Sequence, residues 1–379
     1  MKSNYKKIGN YIRLVDERNK ELKATELLGI NINKYFMPSV ANIVGTDLSR
    51  YKIVKQSQFA CNRMHVGRDK RIPIALSDKE YPFIVSPAYD VFEIINTDEL
   101  DPEYLMMWFS RKEFDRNAWF YTDADVRGGL SWDAFCSIQL PIPNIERQKE
   151  IVAEYNTIVN RIKLNEELNK KLEETAQAIY KRWFVEFEFP NEEGKTTLSD
   201  IVVHIKEIVN PINVKFNKLI HYSIPNYDED GLASIEDSKA IRSNKYKVVH
   251  NSILVSKLNP KFSRVWNLFG NVADNSVCST EFQVLQPKNI DLFGYIYFTL
   301  KSNYAIDYFS SRATGTSNSH QRIKPNEILK MPLTNFSKKR ASEFSRIALT
   351  FLKEIRFNLQ TIVKLKELKN LLLSKMTKV

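Results

Sequence analysis

Arginine, lysine and asparagine crowd two short segments, Arg63-Met-His-Val-Gly-Arg-Asp-Lys-Arg71 and Lys257-Leu-Asn-Pro-Lys-Phe-Ser-Arg264. Guanidinium and ammonium groups anchor phosphates, and an Asn side chain donates and accepts at once along an adenine edge. Arg63, His65, Arg68, Lys70 and Arg71 are the candidates in the first segment, with Asn62 ahead of them as a base reader. Lys257, Asn259, Lys261 and Arg264 are those of the second. Two further loops, Arg127-Gly-Gly and Thr314-Gly-Thr-Ser-Asn-Ser-His-Gln-Arg322, are small and polar. Amides beside glycine and hydroxyls approach phosphates closely. Arg127, Thr316, Ser319, Gln321 and Arg322 complete the set, Gln321 and Arg322 as base readers. Each segment alone also fits a solvated turn. Its recurrence in both halves favours nucleic-acid contact. Tyr121 and Trp119 would suit sugars, but the cluster Trp108, Phe109, Phe114, Trp119 and Phe120 has the character of a core.

Catalytic patterns are not found. There is no Gly-Lys-Ser/Thr phosphate loop and no glycine fingerprint after a strand. Cys61, Cys136 and Cys278 lie far apart, the five histidines are scattered, and His320 stands alone. Asp228, Glu229 and Asp230 are contiguous but read as an exposed turn rather than a Mg²⁺ site. The chain is expected to have no catalytic site of its own.

The 379 residues suffice for two cores, and 43% hydrophobic with 27% charged residues is ordinary for a globular protein. A formal charge of +11 permits a polyanionic partner, although a Lys- and Asn-rich composition gives the same balance. No run of 18 apolar residues occurs, so no membrane span is expected. Residues 1–10 lack an apolar signal core, and the sparse cysteines fit a reducing cytoplasm.

The elements that must carry these loops occur twice. Tyr51-Lys-Ile-Val-Lys-Gln-Ser-Gln-Phe-Ala-Cys-Asn-Arg-Met64 and Tyr246-Lys-Val-Val-His-Asn-Ser-Ile-Leu-Val-Ser-Lys-Leu-Asn259 both read as a short strand, a polar turn and a second strand entering a basic loop. Tyr51 aligns with Tyr246 and Arg63 with Leu258. Strand candidates follow at 84–94 and 278–285, then aromatic-rich helices at 102–117 and 292–310. Ile138-Gln-Leu-Pro-Ile-Pro143 and Ile328-Leu-Lys-Met-Pro-Leu333 come next, and their prolines are expected to bar pairing and mark hinges.

After each hinge the apolar period changes. Ile151, Tyr155, Ile158, Ile162, Leu168, Leu172, Ala176 and Ile179 share one face of a Gly- and Pro-free helix over about 146–186, capped by Asn144. Its second copy, over about 337–375, carries Phe344, Ile347, Phe351, Ile355, Ile362, Leu365, Leu368 and Leu372. Some forty helical residues span roughly 60 Å. Antiparallel pairing would bury both stripes and set two globular blocks about a helix length apart. Asn165 and Asn358 occupy matching positions, either as polar residues that fix helix register or as solvated residues at the seam's edge. The reading is an α+β fold with a pseudo-two-fold internal repeat: globular blocks at 1–143 and 190–334, long coiled-coil helices at 144–189 and 335–379.

The chain resembles the specificity subunits of Type I restriction–modification systems over essentially its whole length. The marks are Leu140-Pro-Ile-Pro-Asn-Ile-Glu-Arg-Gln148 and Leu172-Glu-Glu-Thr-Ala-Gln-Ala-Ile-Tyr-Lys-Arg-Trp-Phe-Val185, with residues 51–64 similar to a strand pair of a target recognition domain. The second junction, Met331-Pro-Leu-Thr-Asn-Phe-Ser-Lys-Lys-Arg340, lacks the second proline and the Glu-Gln pair. The resemblance implies two target recognition domains that read the halves of a split, asymmetric site in double-stranded DNA, with the helices as conserved spacer regions. Two modification subunits would bring S-adenosylmethionine and methylate adenine, and restriction subunits would use ATP and Mg²⁺. No cofactor would belong to this chain. Glu166, Glu167, Lys170, Lys171, Lys181 and Arg182 would face those partners, or simply solvent.

Three alternatives stay open. An orphan or methylation-only specificity subunit would share every feature. A coiled-coil scaffold would explain the helices but not the paired basic loops. A methyltransferase–nuclease fusion would need an Asn-Pro-Pro-Tyr/Phe tetrapeptide, which is not present.

Overall fold

The computed structural model describes residues 5–39, 45–64, 66–122, 129–186, 196–315, 321–333 and 335–378. The chain forms two compact units, one of residues 1–162 with 364–379, the other of residues 163–363.

Unit 1 contains β1 (Tyr5–Lys7), β2 (Ile12–Val15), β3 (Leu28–Ile30), β4 (Phe36–Pro38), β5 (Lys52–Val54), β6 (Phe59–Cys61), α1 (Val66–Asp69), β7 (Ile74–Leu76), β8 (Phe83–Val85) and β9 (Asp90–Ile94). Then follow α2 (Pro102–Phe109), α3 (Lys112–Phe120), α4 (Trp132–Ser137), β10 (Gln139–Pro141) and the start of α5 (Ile145–Lys181). The main sheet is antiparallel in the order β2-β9-β6-β7. Its Phe59 and Phe92 stack at 5.0 Å, and Phe109, Phe114 and Phe135 close over them from α2, α3 and α4. Leu373 and Met376, from the chain's end, join the same core as Ile151 and Val152 of α5.

Unit 2 repeats this sheet. Its elements are α6 (Leu198–Ile201), β11 (Val202–Ile205), β12 (Ile208–Val209), β13 (Lys218–Tyr222), α7 (Ile224–Glu229), β14 (Ser234–Asp237), β15 (Lys245–Lys247), β16 (Ser252–Ser256), β17 (Val265–Leu268), β18 (Ser276–Ser279) and β19 (Phe282–Pro287). They lead into α8 (Phe293–Leu300), α9 (Asn303–Ser311), α10 (Pro325–Leu329) and α11 (Lys338–Lys375). The order β11-β19-β16-β17 matches β2-β9-β6-β7, and the pair Ile253↔Leu285, on the helix side of the sheet, stands where Phe59↔Phe92 stands in unit 1, so Lys257 rather than Leu258 matches Arg63. Unit 2 adds a five-stranded sheet, β12-β15-β18-β13-β14, in which β13 and β18 run parallel.

Several expectations need correction. The aromatic helix of each half is two helices, broken at Ser110-Arg111 and at Lys301-Ser302. The strands flanking the polar turn do not pair with each other. β5 joins β8 while β6 joins the main sheet, and β15 and β16 part in the same way. Pro141 does not bar pairing: β10 pairs with β1, with Tyr5 opposite Pro141. A proline is tolerated on such a short edge strand, where no inner ladder needs its missing N–H.

Both long helices form as the apolar period predicts. Asn144 caps α5, its Oδ1 accepting from Arg147 N at 2.9 Å. In unit 1 the start of α5 packs beside the end of α11, and in unit 2 the end of α5 packs beside the start of α11, so the pairing is antiparallel. Tyr180 and Phe184, from the stretch that closes the first helix, lie in unit 2's core against Phe344 at 5.7 and 5.6 Å. That stretch therefore secures the helix to the domain that follows it. Glu173 accepts from Tyr297 Oη at 2.7 Å and pairs with Lys301 of the same unit. The seam is narrower than the periodicity implies, since Leu168, Ile347 and Leu368 are exposed. No helix among the described residues is long and apolar enough to cross a membrane.

Candidate nucleic-acid interface

In unit 1 the basic segment is the connection between β6 and β7. Asn62 shapes its first turn, donating its N–H to Pro73 O at 2.9 Å and accepting at Oδ1 from Met64 N at 3.0 Å. Val66 and Ile72 are buried beneath the loop. Asp115 of α3 accepts from Ile72 N at 3.2 Å and pairs with Lys34 at 2.8 Å. Burial pulls the Lys34 ammonium below its usual range, opposed by Asp115. The loop thus stands on a buried ion pair, and this holds its backbone in place.

Arg63 points inward. Its Nε lies 2.7 Å from Asp90 Oδ2, Nη1 donates to Leu130 O, and the guanidinium sits 5.6 Å over the Trp132 ring. Leu130 N donates back to Arg63 O at 3.0 Å. The basic loop and the residues that follow the Arg127 loop are thereby joined. Arg68 is exposed and pairs with its neighbour Asp69 at 2.7 Å. Lys70, in the left-handed region at φ 53°, sets its ammonium 4.9 Å over the Trp119 ring. Arg71 is exposed, with Nη1 3.4 Å from Asn33 Oδ1.

Unit 2 is built alike. Ile323 N donates to Lys257 O at 3.0 Å, as Leu130 N does to Arg63 O. Asn259, at φ 46°, donates its N–H to Gln321 O at 2.8 Å and accepts at Oδ1 from Gln321 N at 3.1 Å. Arg264 makes a two-point bond with Asp228 at 2.7 and 2.8 Å, and Arg322 pairs with Glu281 at 3.1 Å. Lys261 and Arg264 lie 5.1 and 5.2 Å from the exposed ring of Phe262. Thr314 and Arg322 exchange backbone bonds at 2.9 Å and close the second polar loop at its base. The structure therefore brings together Lys257, Asn259, Arg264, Gln321 and Arg322. His65, Arg127, Thr316 and Ser319 lie outside the described residues.

Sequence reasoning missed the carboxylates. Asp90, Asp228 and Glu281 each hold an arginine in place, and neither a lone acidic residue nor the run Asp228-Glu229-Asp230 signals a distant cation partner. Asp228 is exposed, as expected, but belongs to helix α7 rather than to a turn. The aromatic cluster also divides. Trp108, Phe109 and Phe114 are core, whereas Trp119 and Phe120 are exposed. Among the helix asparagines, Asn358 is 4% exposed and donates to Asn169 Oδ1 at 2.9 Å, while Asn165 lies half-buried one turn earlier. Burial raises the Cys61 thiol and lifts that of Cys278 to about 12, which keeps both protonated and unreactive. Among the described residues, no three His, Cys, Asp or Glu side chains group as a metal site would require.

An α+β scaffold repeated twice, threaded by two long helices and carrying a joined pair of loops in each unit, defines the structural class. The family model for the Type I restriction modification DNA specificity domain matches residues 62–174, from the basic loop of unit 1 into α5. The specificity subunit of the Type I restriction enzyme HindI from Haemophilus influenzae is 27% identical over 172 residues. That match covers 44% of this chain and 36% of the relative's length. The crystal structure of a Type I restriction–modification S subunit from M. genitalium has the same fold, with a TM-score of 0.57 at 14% identity, covering 98% of this chain and 95% of that one. Over residues 62–174 this chain is thus similar to the Type I restriction modification DNA specificity domain, and its fold is that of the M. genitalium S subunit.

Proposed function

We propose that this chain is the DNA-reading subunit of a cytoplasmic Type I system and recognises a bipartite, asymmetric site in double-stranded DNA. Each unit reads one part, and α5 with α11 sets the gap between them. The observation that carries this reading is the matched loop junction, Leu130 on Arg63 and Ile323 on Lys257. Chance similarity of composition does not produce the same backbone bond at the same place in both repeats.

The geometry sorts the side chains. Arg63, Arg264 and Arg322, each held by a carboxylate, position the loops. Arg68, Lys70, Arg71, Lys257 and Lys261 supply positive charge for phosphates, whose neutralisation releases counterions. Asn62, Asn259 and Gln321 stand beside them as amide readers of base edges, and His65, Arg127, Thr316 and Ser319 remain candidates for DNA contact from the sequence. Asn358, through its bond to Asn169, serves helix register. Two modification subunits dock on the helices and use S-adenosylmethionine to methylate adenine N6 in both parts of the site. Restriction subunits, with ATP and Mg²⁺, act on unmodified DNA.

Methylation mapping in cells that express the chain with its modification subunit tests this. A split motif with modified adenine in both parts, lost when the chain is deleted, is the expected result. Absence of chain-dependent modification, with the partner shown to be active, would contradict it.

A further inference from the structure

The end of α3 carries an apolar surface that the basic loops do not account for. Trp119, Phe120 and Tyr121 are consecutive and are 44%, 82% and 45% exposed, while Phe114 and Ala118 on the opposite face are buried. The segment is held firmly. Tyr121 N donates to Asn117 O at 3.2 Å, and Thr122 Oγ1 donates to Trp119 O at 2.7 Å. The Phe120 and Tyr121 rings meet edge to face at 5.6 Å. A phenyl ring this exposed, fixed by its neighbours, is a poor arrangement in water and a good one for an apolar contact made on binding.

The surroundings say what covers it. Lys70 lies over the Trp119 ring, Arg71 follows in the same loop, and Arg116 is exposed one turn back on α3. Cationic side chains beside a rigid aromatic ledge fit a partner with phosphates flanking flat, apolar faces. In duplex DNA, aromatic side chains enter between base steps while cations hold the adjoining phosphates. Among the described residues, the matching helix end of unit 2 carries no such ledge. With Phe114 matched to Ala305 and Ala118 to Phe309, its helix end reads Ser310-Ser311-Arg312.

We infer that Phe120 is an apolar wedge that packs against a base step in the half-site read by unit 1, with Lys70 and Arg116 on the flanking phosphates. This rests on the DNA-reading function proposed above. It adds a contact specific to one half of the site, made through stacking rather than hydrogen bonds.

The test uses the full chain in complex with its modification subunits and a duplex carrying the motif mapped for that complex, with 2-aminopurine placed in turn through the half assigned to residues 1–143. Phe120→Ala should weaken binding about ten-fold without changing the slope of log K against log salt, and Phe120→Trp should restore most of it. A 2-aminopurine fluorescence rise at one step in the wild-type complex should vanish in Phe120→Ala. Lys70→Ala should lower the salt slope by about 1. Phe120→Ala binding within two-fold of wild type, or a loss that tracks a lower melting temperature, would overturn the wedge. A wild-type complex that shows no sequence-dependent binding would overturn the DNA-reading function, and the wedge with it.

Discussion

The amide of Leu130 donates to the carbonyl of Arg63 at 3.0 Å, and through that bond two loops far apart in sequence become one surface. Arg63 reinforces the junction with its own side chain, on Asp90 and on Leu130 O. The same junction, Ile323 on Lys257, serves unit 2.

Arg63→Ala should therefore act on stability as well as on DNA binding. It leaves Asp90 in a half-buried place with its cation removed, at a cost of about 2 kcal/mol. Thermal melting should show unit 1 destabilised, whereas Lys70→Ala, with its ammonium over Trp119, should leave the melting temperature within about a degree. Equal melting of the two variants would count against the junction.

Gly294 marks a close approach of α8 to α11. A Cβ there would meet Ala348 Cβ at 2.8 Å and Ser345 Cα at 3.0 Å, next to the bond from Tyr295 N to Ser345 Oγ at 2.9 Å. Gly294→Ala should destabilise unit 2 by about 1–3 kcal/mol despite the better helix propensity of alanine. Denaturant unfolding measures this; unchanged or higher stability would contradict the packing.

Asn358→Ala strands the Asn169 carbonyl oxygen and should cost about 1–3 kcal/mol. Replacing both asparagines by leucine should recover stability, because the unmet polar group is gone. The comparison of single and double variants by thermal melting isolates the pair. A double variant as unstable as the sum of the two singles would argue against the coupling.

His204 gives unit 2 a pH dependence. Burial, aided by the charge of Lys206, lowers its pKa from 6.5. The unfolded chain therefore binds the proton more readily, so this contribution is full above about pH 6.5 and is lost as pH falls toward the depressed folded value. Melting of the wild type should decline over that interval more than melting of His204→Gln. Parallel curves would contradict it.

How much of this was legible follows from the range of the interactions. The two long helices and the internal repeat were readable because apolar periodicity and strand runs are local. Pairing is not. β5 and β6 adjoin in sequence yet enter different sheets, and nothing in residues 51–64 chooses their partners. Asn165 matches Asn358 in the repeat, but antiparallel helices bring unlike positions together, and Asn169 takes the contact. The basic loops were found by composition, while the carboxylates that hold Arg63, Arg264 and Arg322 come from a distant strand, helix and turn. Phe120 read as core because residue type does not tell which side of α3 faces water. Exposure did, and the character of that surface changed with it.

The central claim is that each unit reads its own part of a split site. The most direct test replaces residues 1–143 with the corresponding segment of a family member of different specificity and maps methylation in cells that also express the modification subunit. The account predicts a new motif in which only one half is changed, with the other half and the gap retained. A motif altered in both halves, or unaltered in either, would contradict it.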